Sequence, residues 1–515
     1  MKKIFVLAFV ALTSMSMMAQ ETYENTKYVE TDLNGSAKYV SMGGAMEALG
    51  ADISTMSTNP AGIGLFRSSY ISGTIGLVSQ QDAQKFSHGD KTNVSLDQAG
   101  FVYTCPNNDY SSFFNLGFSY RKSRNFNEIL NAAGALNNAS QNKLTYQKFR
   151  REVFLYDTDL TFTQVDDLYM RNLLYNQEEN AYFYFPATSY KYDRAQEGYI
   201  GEYDFNLSGN INDRVYVGVT FGLHDVNYEH YSEYSEAFQP NEDNIAGLAL
   251  LDERKITGTG FDIKAGVIVR PVETSPFRIG AYVHTPTWYS LTSTNDTRLT
   301  DYKLYRNNGE KYEFKIYTPW KFGVSVGHTI GNYLALGATY EYADYSKINT
   351  RINNTDYKYY AIDRFYSTSH EDRNMMEHTK ETLKGVSTAK VGVEYRPDPT
   401  IAVRFGYNYV SPMFDSNGSK AGHIASPGNY YESQTNYTNW KATNRITCGI
   451  GWTATSNLTL DLAYQYSVTK GDFYPFMNYY ENDVDGPPSP EDNHCDATDV
   501  SFKRHQVLVT LGYRF

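Results

Sequence analysis

The sequence predicts an all-β protein, a fourteen-stranded antiparallel transmembrane β-barrel, and three observations carry that prediction. Segments alternating apolar and polar residues recur from residue 69 to the end. The links between them are short and long by turns, without a break. Aromatic residues make up 15% of the 515 residues, with 47 Tyr and 28 Phe, yet mean hydropathy is only −0.53. Alternating strands with polar loops produce that combination, whereas a soluble enzyme of this length draws more on Leu, Ala and Val.

Residues 1–20 read as a signal peptide. Lys2 and Lys3 form its charged start, residues 4–12 its apolar core and residues 14–19 a small-residue region, with cleavage near Ala19 or Gln20. The apolar core is too short to cross a bilayer as a mature helix. No Cys follows it, which argues against a lipid anchor. No long apolar run occurs after residue 20, so a barrel is the only spanning structure open to the chain.

Residues 21–68 do not alternate. They carry Met42-Gly43-Gly44-Ala45 and Asn59-Pro60-Ala61-Gly62, small residues that let a backbone pack closely and an Asn-Pro pair that marks a sharp turn. A short helix is expected at 42–49, with Ala45, Met46 and Leu49 on one side.

Strands follow at 69–79, 97–105, 111–121, 198–209, 213–224, 258–270, 276–284, 317–329, 332–343, 384–396, 399–410, 440–452, 457–468 and 501–515. Each is about the length a tilted strand needs to cross hydrocarbon. The thirteenth is clearest: Leu458, Leu460, Leu462, Tyr464 and Tyr466 share one face, and Thr459, Asp461, Ala463 and Gln465 the other. The fifth sets Val215, Val217, Val219, Phe221 and Leu223 on one face. Short links fall at 106–110, 210–213, 271–275, 330–331, 397–398 and 453–456. Long ones fall at 80–96, 122–197, 225–257, 285–316, 344–383, 411–439 and 469–500. Outer-membrane barrels sort their connections in this way, and a soluble β-sandwich would not. The chain ends with Val507, Val509, Leu511, Tyr513 and Phe515 on one face, similar to the signal that outer-membrane assembly machinery reads on a last strand.

The hatch-like motifs and barrel together resemble the FadL-type family of outer-membrane transporters. The resemblance rests on the Met-Gly-Gly-Ala run and the Asn-Pro-Ala-Gly run before the first strand. It extends to His284-Thr285-Pro286-Thr287-Trp288-Tyr289, Thr318-Pro319-Trp320-Lys321-Phe322-Gly323, Tyr340-Glu341-Tyr342-Ala343-Asp344-Tyr345-Ser346 and Gly392-Val393-Glu394-Tyr395-Arg396-Pro397. It does not cover the insertion at 122–197. The resemblance implies a hatch, residues 21–68, inside a barrel formed by residues 69–515, with both chain ends on the periplasmic side and Asn59, Pro60 and Ala61 at the hatch's key turn. It also implies capture of hydrophobic molecules at the outer loops, passage into the lumen, and release by hatch movement or through a gap in the wall. Long-chain fatty acids head the expected cargoes, and aromatic hydrocarbons are handled by relatives.

Candidate ligand-binding residues follow from that frame. The loop after the fifth strand is apolar at 244–251, so Ile245, Leu248, Leu250 and Leu251 are expected to form a capture surface or a packed helix. A fatty acid carboxylate needs a cation, and inward Arg404 or Arg445 would supply one; the competing expectation is that lumenal charges pair with one another or with the hatch. Inward Gly218, Gly222, Gly323, Gly327, Gly337 and Gly406 suit a closely apposed hatch backbone.

Other chemistry finds little support. A net charge of −12 argues against nucleic acid. Three scattered cysteines suggest neither disulfides nor a metal site, and His224 and His230 are the nearest thing to a histidine pair. Gly323-Val324-Ser325-Val326-Gly327 matches a hydrolase pattern, but lies within a strand and not at a strand-to-helix elbow. The acidic run at 481–496 reads as a solvated loop. The expectation is a monomer without cofactor, in the outer membrane of a Gram-negative bacterium. Its partners would be a hydrophobic small molecule, outer-membrane lipid, lipopolysaccharide and the assembly machinery. The alternative is a surface barrel that binds a ligand or glycan without transport. An enzyme acting on lipid would need a nucleophile–base pair that the sequence does not offer.

Overall fold

The structure is a computed structural model. It describes residues 20–106, 112–150, 161–176, 179–300, 305–353, 369–420, 422, 424–480 and 492–515. The expected signal peptide, apart from Gln20, and most of the acidic run lie outside these residues.

Fourteen strands form the wall: β1 (Tyr70–Gln81), β2 (Thr92–Pro106), β3 (Phe113–Asn125), β4 (Ala187–Ile211), β5 (Val215–Phe238), β6 (Gly247–Val269) and β7 (Arg278–His284), then β8 (Lys321–Ile330), β9 (Leu334–Asp344), β10 (Gly385–Asp398), β11 (Ile401–Val410), β12 (Tyr437–Thr453), β13 (Leu458–Tyr474) and β14 (Thr498–Arg514). Each pairs antiparallel with the next. The ring closes between β1 and β14, with Ile71 opposite Tyr513 and Ser79 opposite His505. Closure removes the open edge that would leave backbone donors and acceptors unpaired in hydrocarbon.

The register puts the apolar face outward. Val217, Phe221, Leu460 and Val509 are exposed, whereas Arg404, Arg445 and Asp461 face inward and are buried. Val403 sits on the outer face between Tyr395 and Ile450. Exposed aromatics border the belt at both ends. Tyr103, Phe114, Tyr333, Tyr395, Trp452 and Tyr513 lie towards the short turns, and Tyr203, Trp288, Tyr340, Tyr407 and Tyr464 towards the long connections. Interfacial girdles of this kind flank the apolar band of membrane barrels.

Three expectations are corrected. First, 225–257 is a tall hairpin and not a loop, because β5 and β6 run 24 and 23 residues. Its outward side turns polar at Asp225, Asn227, Glu229 and Glu233, while the inward side keeps Val226, Tyr228, His230 and Tyr234 buried. Apolar alternation therefore fades although the strands continue. Further strands Trp288–Thr300 and Tyr305–Tyr317 extend this wall, the first pairing with the upper part of β6. Second, the short helix falls at α2 (Ala37–Ser41), N-capped by Ser36, and not at 42–49. Gly43 and Gly44 have φ of 65° and 79°, a conformation that ends a helix. Third, Gln20 does not lie at the short-turn end with Phe515. Helix α1 (Thr22–Val29) stands at the opposite end, and Gln20 meets Tyr312 and Gly428 there.

The long connections and α1 form a cap over that end. Its core joins Tyr23, Tyr28 and Val29 of α1 to Phe126, Tyr228, Leu248, Leu250, Phe314 and Phe473. Burial contributes about 1.5–3 kcal/mol per large side chain to holding this cap together.

Candidate functional site

Between the cap and the lower lumen lies a cavity of about 210 Å³. Its floor is the N-terminal segment, which meets the wall at backbone distance. A Cβ at Gly406 would strike Gly43 and Met42, at Gly392 the Met42 carbonyl, at Gly337 the Ala45 carbonyl, and at Gly218 the Pro60 carbonyl. Gly266 leaves room for the Asn59 side chain in the same way. Asn59 is extended and N-caps the 3-10 helix Pro60–Leu65, as a residue before Pro should be. Its Nδ2 donates to the Glu47 carbonyl at 3.0 Å. Of the expected glycines, Gly218, Gly327, Gly337 and Gly406 meet this segment, whereas Gly222 faces Asp262 and Gly323 faces Tyr282.

Polar bonds lock the floor to several strands. His284 donates to the Thr58 carbonyl at 2.6 Å, Arg278 to the Leu49 carbonyl at 2.9 Å, and Asn115 to the Ile63 carbonyl at 2.7 Å. Buried Glu47 accepts from Lys390 at 2.9 Å, Thr339 at 2.7 Å and Tyr39 at 3.0 Å.

The cavity wall mixes apolar and charged groups. Tyr28, Phe126, Ile200, Tyr289, Val386, Met413, Trp440 and Phe502 supply apolar surface. On one side Lys264 stands among Glu202, Asp204 and Asp262 at 2.5, 2.8 and 3.1 Å, and Arg121 pairs with Glu202 at 2.5 Å. Glu202, His224 and Asp262 converge at metal-like spacing. The Lys264 ammonium occupies the space among these carboxylates, bonded to both Glu202 and Asp262 of the trio. His230 lies apart, bonded to Asp252 at 2.7 Å.

On the other side three arginines surround Asp32. Arg504, Arg124 and Arg445 lie 3.1, 3.5 and 4.0 Å from its Oδ1. Arg124 also pairs with Glu30 at 2.5 Å, and Arg445 donates to Asn408 at 2.8 Å. The Nε atoms of all three are buried and have no hydrogen-bond partner among the described residues.

Asp32 stands at a gap in the wall. β2 and β3 pair only from Gln98 opposite Arg121 to Pro106 opposite Phe113. Beyond Gln98, β2 pairs with β1 alone, and residues 122–125 of β3 pair with β4 alone. The N-terminal segment fills the break. The Asp32 amide donates to the Ser123 carbonyl at 2.8 Å, Asp32 Oδ2 accepts from the Asn125 amide at 2.9 Å, and Asn34 donates to the Lys122 carbonyl at 3.0 Å.

Of the six ligand-binding candidates, only Arg445 lines this cavity. Arg404 is held by Glu394 and Asp461, both at 2.6 Å. Leu248 and Leu250 are buried in the cap core, with Ile245 packed against it, and the stretch is strand and not helix from Gly247 onward. Leu251 faces outward beside Glu233. Ser325 is embedded in β8 against Gly280. Sequence reasoning missed Asp32, Glu47, Arg124 and Arg504, which lie in segments without alternation or at strand ends above the belt.

No family model and no curated protein matches the sequence. Among solved structures, the chain is similar to a Pseudomonas aeruginosa FadL homologue, at 12% identity and TM-score 0.51, covering 94% of this chain and 99% of that one. The toluene transporter TbuX of Ralstonia pickettii gives 12% identity and 0.49, covering 94% and 99%. The toluene transporter TodX of Pseudomonas putida gives 10% identity and 0.49, covering 95% and 100%. At these identities the likeness establishes the fold, which is that of the FadL homologue.

Proposed function

We propose that this chain is a FadL-type channel of the Gram-negative outer membrane, passing hydrophobic small molecules inward without an energy source. One observation carries the reading: a cavity, part apolar and part arginine-lined, sits between a wall-seated N-terminal segment and a folded cap. In this reading the long connections face outward, residues 21–68 are the hatch, and residues 1–20 are removed on export. The chain works as a monomer, without cofactor or catalysis, held in lipid and lipopolysaccharide.

The lining supports a cargo with an apolar body and an anionic head, which favours long-chain fatty acids over neutral hydrocarbons. A carboxylate leaving water needs charged donors, and Arg445 and Arg504 offer Nε–H groups that no described residue pairs. Release runs through the gap between β2 and β3 once the hatch segment beside it moves. The test is uptake of labelled oleate by cells expressing the chain, with surface expression checked. Uptake at least several-fold above the empty host is expected, and uptake equal to it overturns the reading.

A second reading has its own observation. Tyr175, Phe183 and Tyr430 are exposed on the cap, as a surface that binds a ligand or glycan would require. Binding of such a ligand by cells that take up no oleate would favour it.

A further inference from the structure

We propose that Asp32 is a built-in stand-in for the cargo's carboxylate, and that a carboxylate entering the cavity displaces it and unfastens the wall between β2 and β3. This rests on the proposed transport of anionic amphiphiles, and it adds how that site is kept shut. Asp32 bonds the arginines and the β3 edge at once, beside Arg124, which belongs to that edge, and Asn34, which holds the Lys122 carbonyl on it. Its Oδ1 serves the arginines, with Arg504 at 3.1 Å, while its amide and Oδ2 hold Ser123 and Asn125 on the unpaired edge of β3.

Charge argues for exchange. Arg124 has Glu30 as a further partner, so Arg445 and Arg504 are left to share one carboxylate. Both guanidinium groups are more than nine-tenths buried, and each keeps an Nε without a partner among the described residues. A second carboxylate can therefore enter as a bidentate partner of either arginine. As it binds, Asp32 loses the attraction that fixes its position, and the bonds to Ser123 and Asn125 lose their anchor. An uncharged molecule of the same shape cannot compete for the arginines. The wall would then yield to anionic amphiphiles and stay closed to neutral ones.

The full-length protein in detergent is titrated with cis-parinaric acid and with cis-parinaryl alcohol, which differ only in the head group. Asp32→Asn keeps the backbone bond to Ser123 and removes the internal anion. It should tighten the acid about tenfold and leave the alcohol within twofold. Arg445→Gln with Arg504→Gln should bring acid binding down to that of the alcohol. In the wild type, the acid but not the alcohol should raise hydrogen exchange at the Asn125 amide. This measurement and the arginine variant hold even where Asp32→Asn fails to fold. Equal changes for both probes, or an Asn125 amide indifferent to the acid, would overturn the proposal. Head-group selectivity without cellular oleate uptake would sink the transport reading alone. Uptake without head-group selectivity would sink this one alone.

Discussion

Lys390 of β10 reaches Glu47 of the N-terminal segment across the lumen, Nζ to Oε1 at 2.9 Å, and both side chains are buried. The same ammonium serves Glu341 at 3.0 Å. Lys390→Met strands two carboxylates, and breaking a buried pair in this way costs about 3–5 kcal/mol. The N-terminal segment should lose its seat while the strands persist. Single-channel recordings should show larger or more frequent openings than the wild type. Glu47→Gln, which keeps the Thr339 contact, should have a smaller effect, and pairing it with Lys390→Met should be milder than Lys390→Met alone.

Gly406 sets the distance between floor and wall. A side chain there meets the backbone at Met42 and Gly43, which cannot yield as the end of a flexible side chain would. Gly406→Val should displace the floor at a cost of about 1–3 kcal/mol, the range for overpacking. Increased entry of a bulky antibiotic into cells, with heat-modifiable mobility preserved, is the expected result. Gly73, with no atom near its would-be Cβ, should accept Ala without effect on permeation.

Leu250 and Leu251 are neighbours in sequence with opposite surroundings. Leu250 is 2% exposed inside the cap, whereas Leu251 faces outward beside Glu233. Leu250→Ala should destabilise the cap by about 2–5 kcal/mol and open its connections to trypsin on intact cells. Leu251→Ala should leave the cleavage pattern unchanged. Matching patterns for the two variants would contradict the register of β5 and β6.

Glu21 sits in the cap, where burial pushes its carboxyl up to about 7, with Glu432 and Glu24 adding to the effect against Lys420. An acid with a raised folded value keeps its proton in the native state between about 4.5 and 7, so stability falls as pH rises through that window and levels off above it. Hydrogen exchange of α1, corrected for intrinsic rates, should therefore quicken from pH 5 to pH 8. Glu21→Gln should flatten that dependence. A wild-type profile already flat would show that α1 is not held through the protonated form.

The barrel was legible because the membrane imposes a rule on it. Val217 to Leu223 and Leu458 to Tyr466 must face lipid at every second residue, so their pattern is enforced locally. Above the belt that rule lapses. Outward Glu229 meets water and inward His230 meets Asp252, and neither type signals a strand. The candidate site was less legible still. Arg445 could be picked from its inward position, but Asp32 gains meaning only from Arg124 and Arg504, which folding brings from distant strands. Arg404 looked equivalent to Arg445 in sequence and differs because Glu394 and Asp461 stand beside it.

The path of the N-terminal segment constrains how the molecule is built. Thr22 of α1 ends up against His378 and Thr379 at the cap, whereas β1, which follows the segment, starts at the other end of the wall and seals against β14. The earliest described part of the chain must thus travel the full height of a cylinder whose last stave is its final strand. Joining of β1 to β14 before that passage would leave the leader stranded below its own floor. Biogenesis is then a threading problem, with seam closure as the committing step, and a bulky fusion ahead of α1 should stall it.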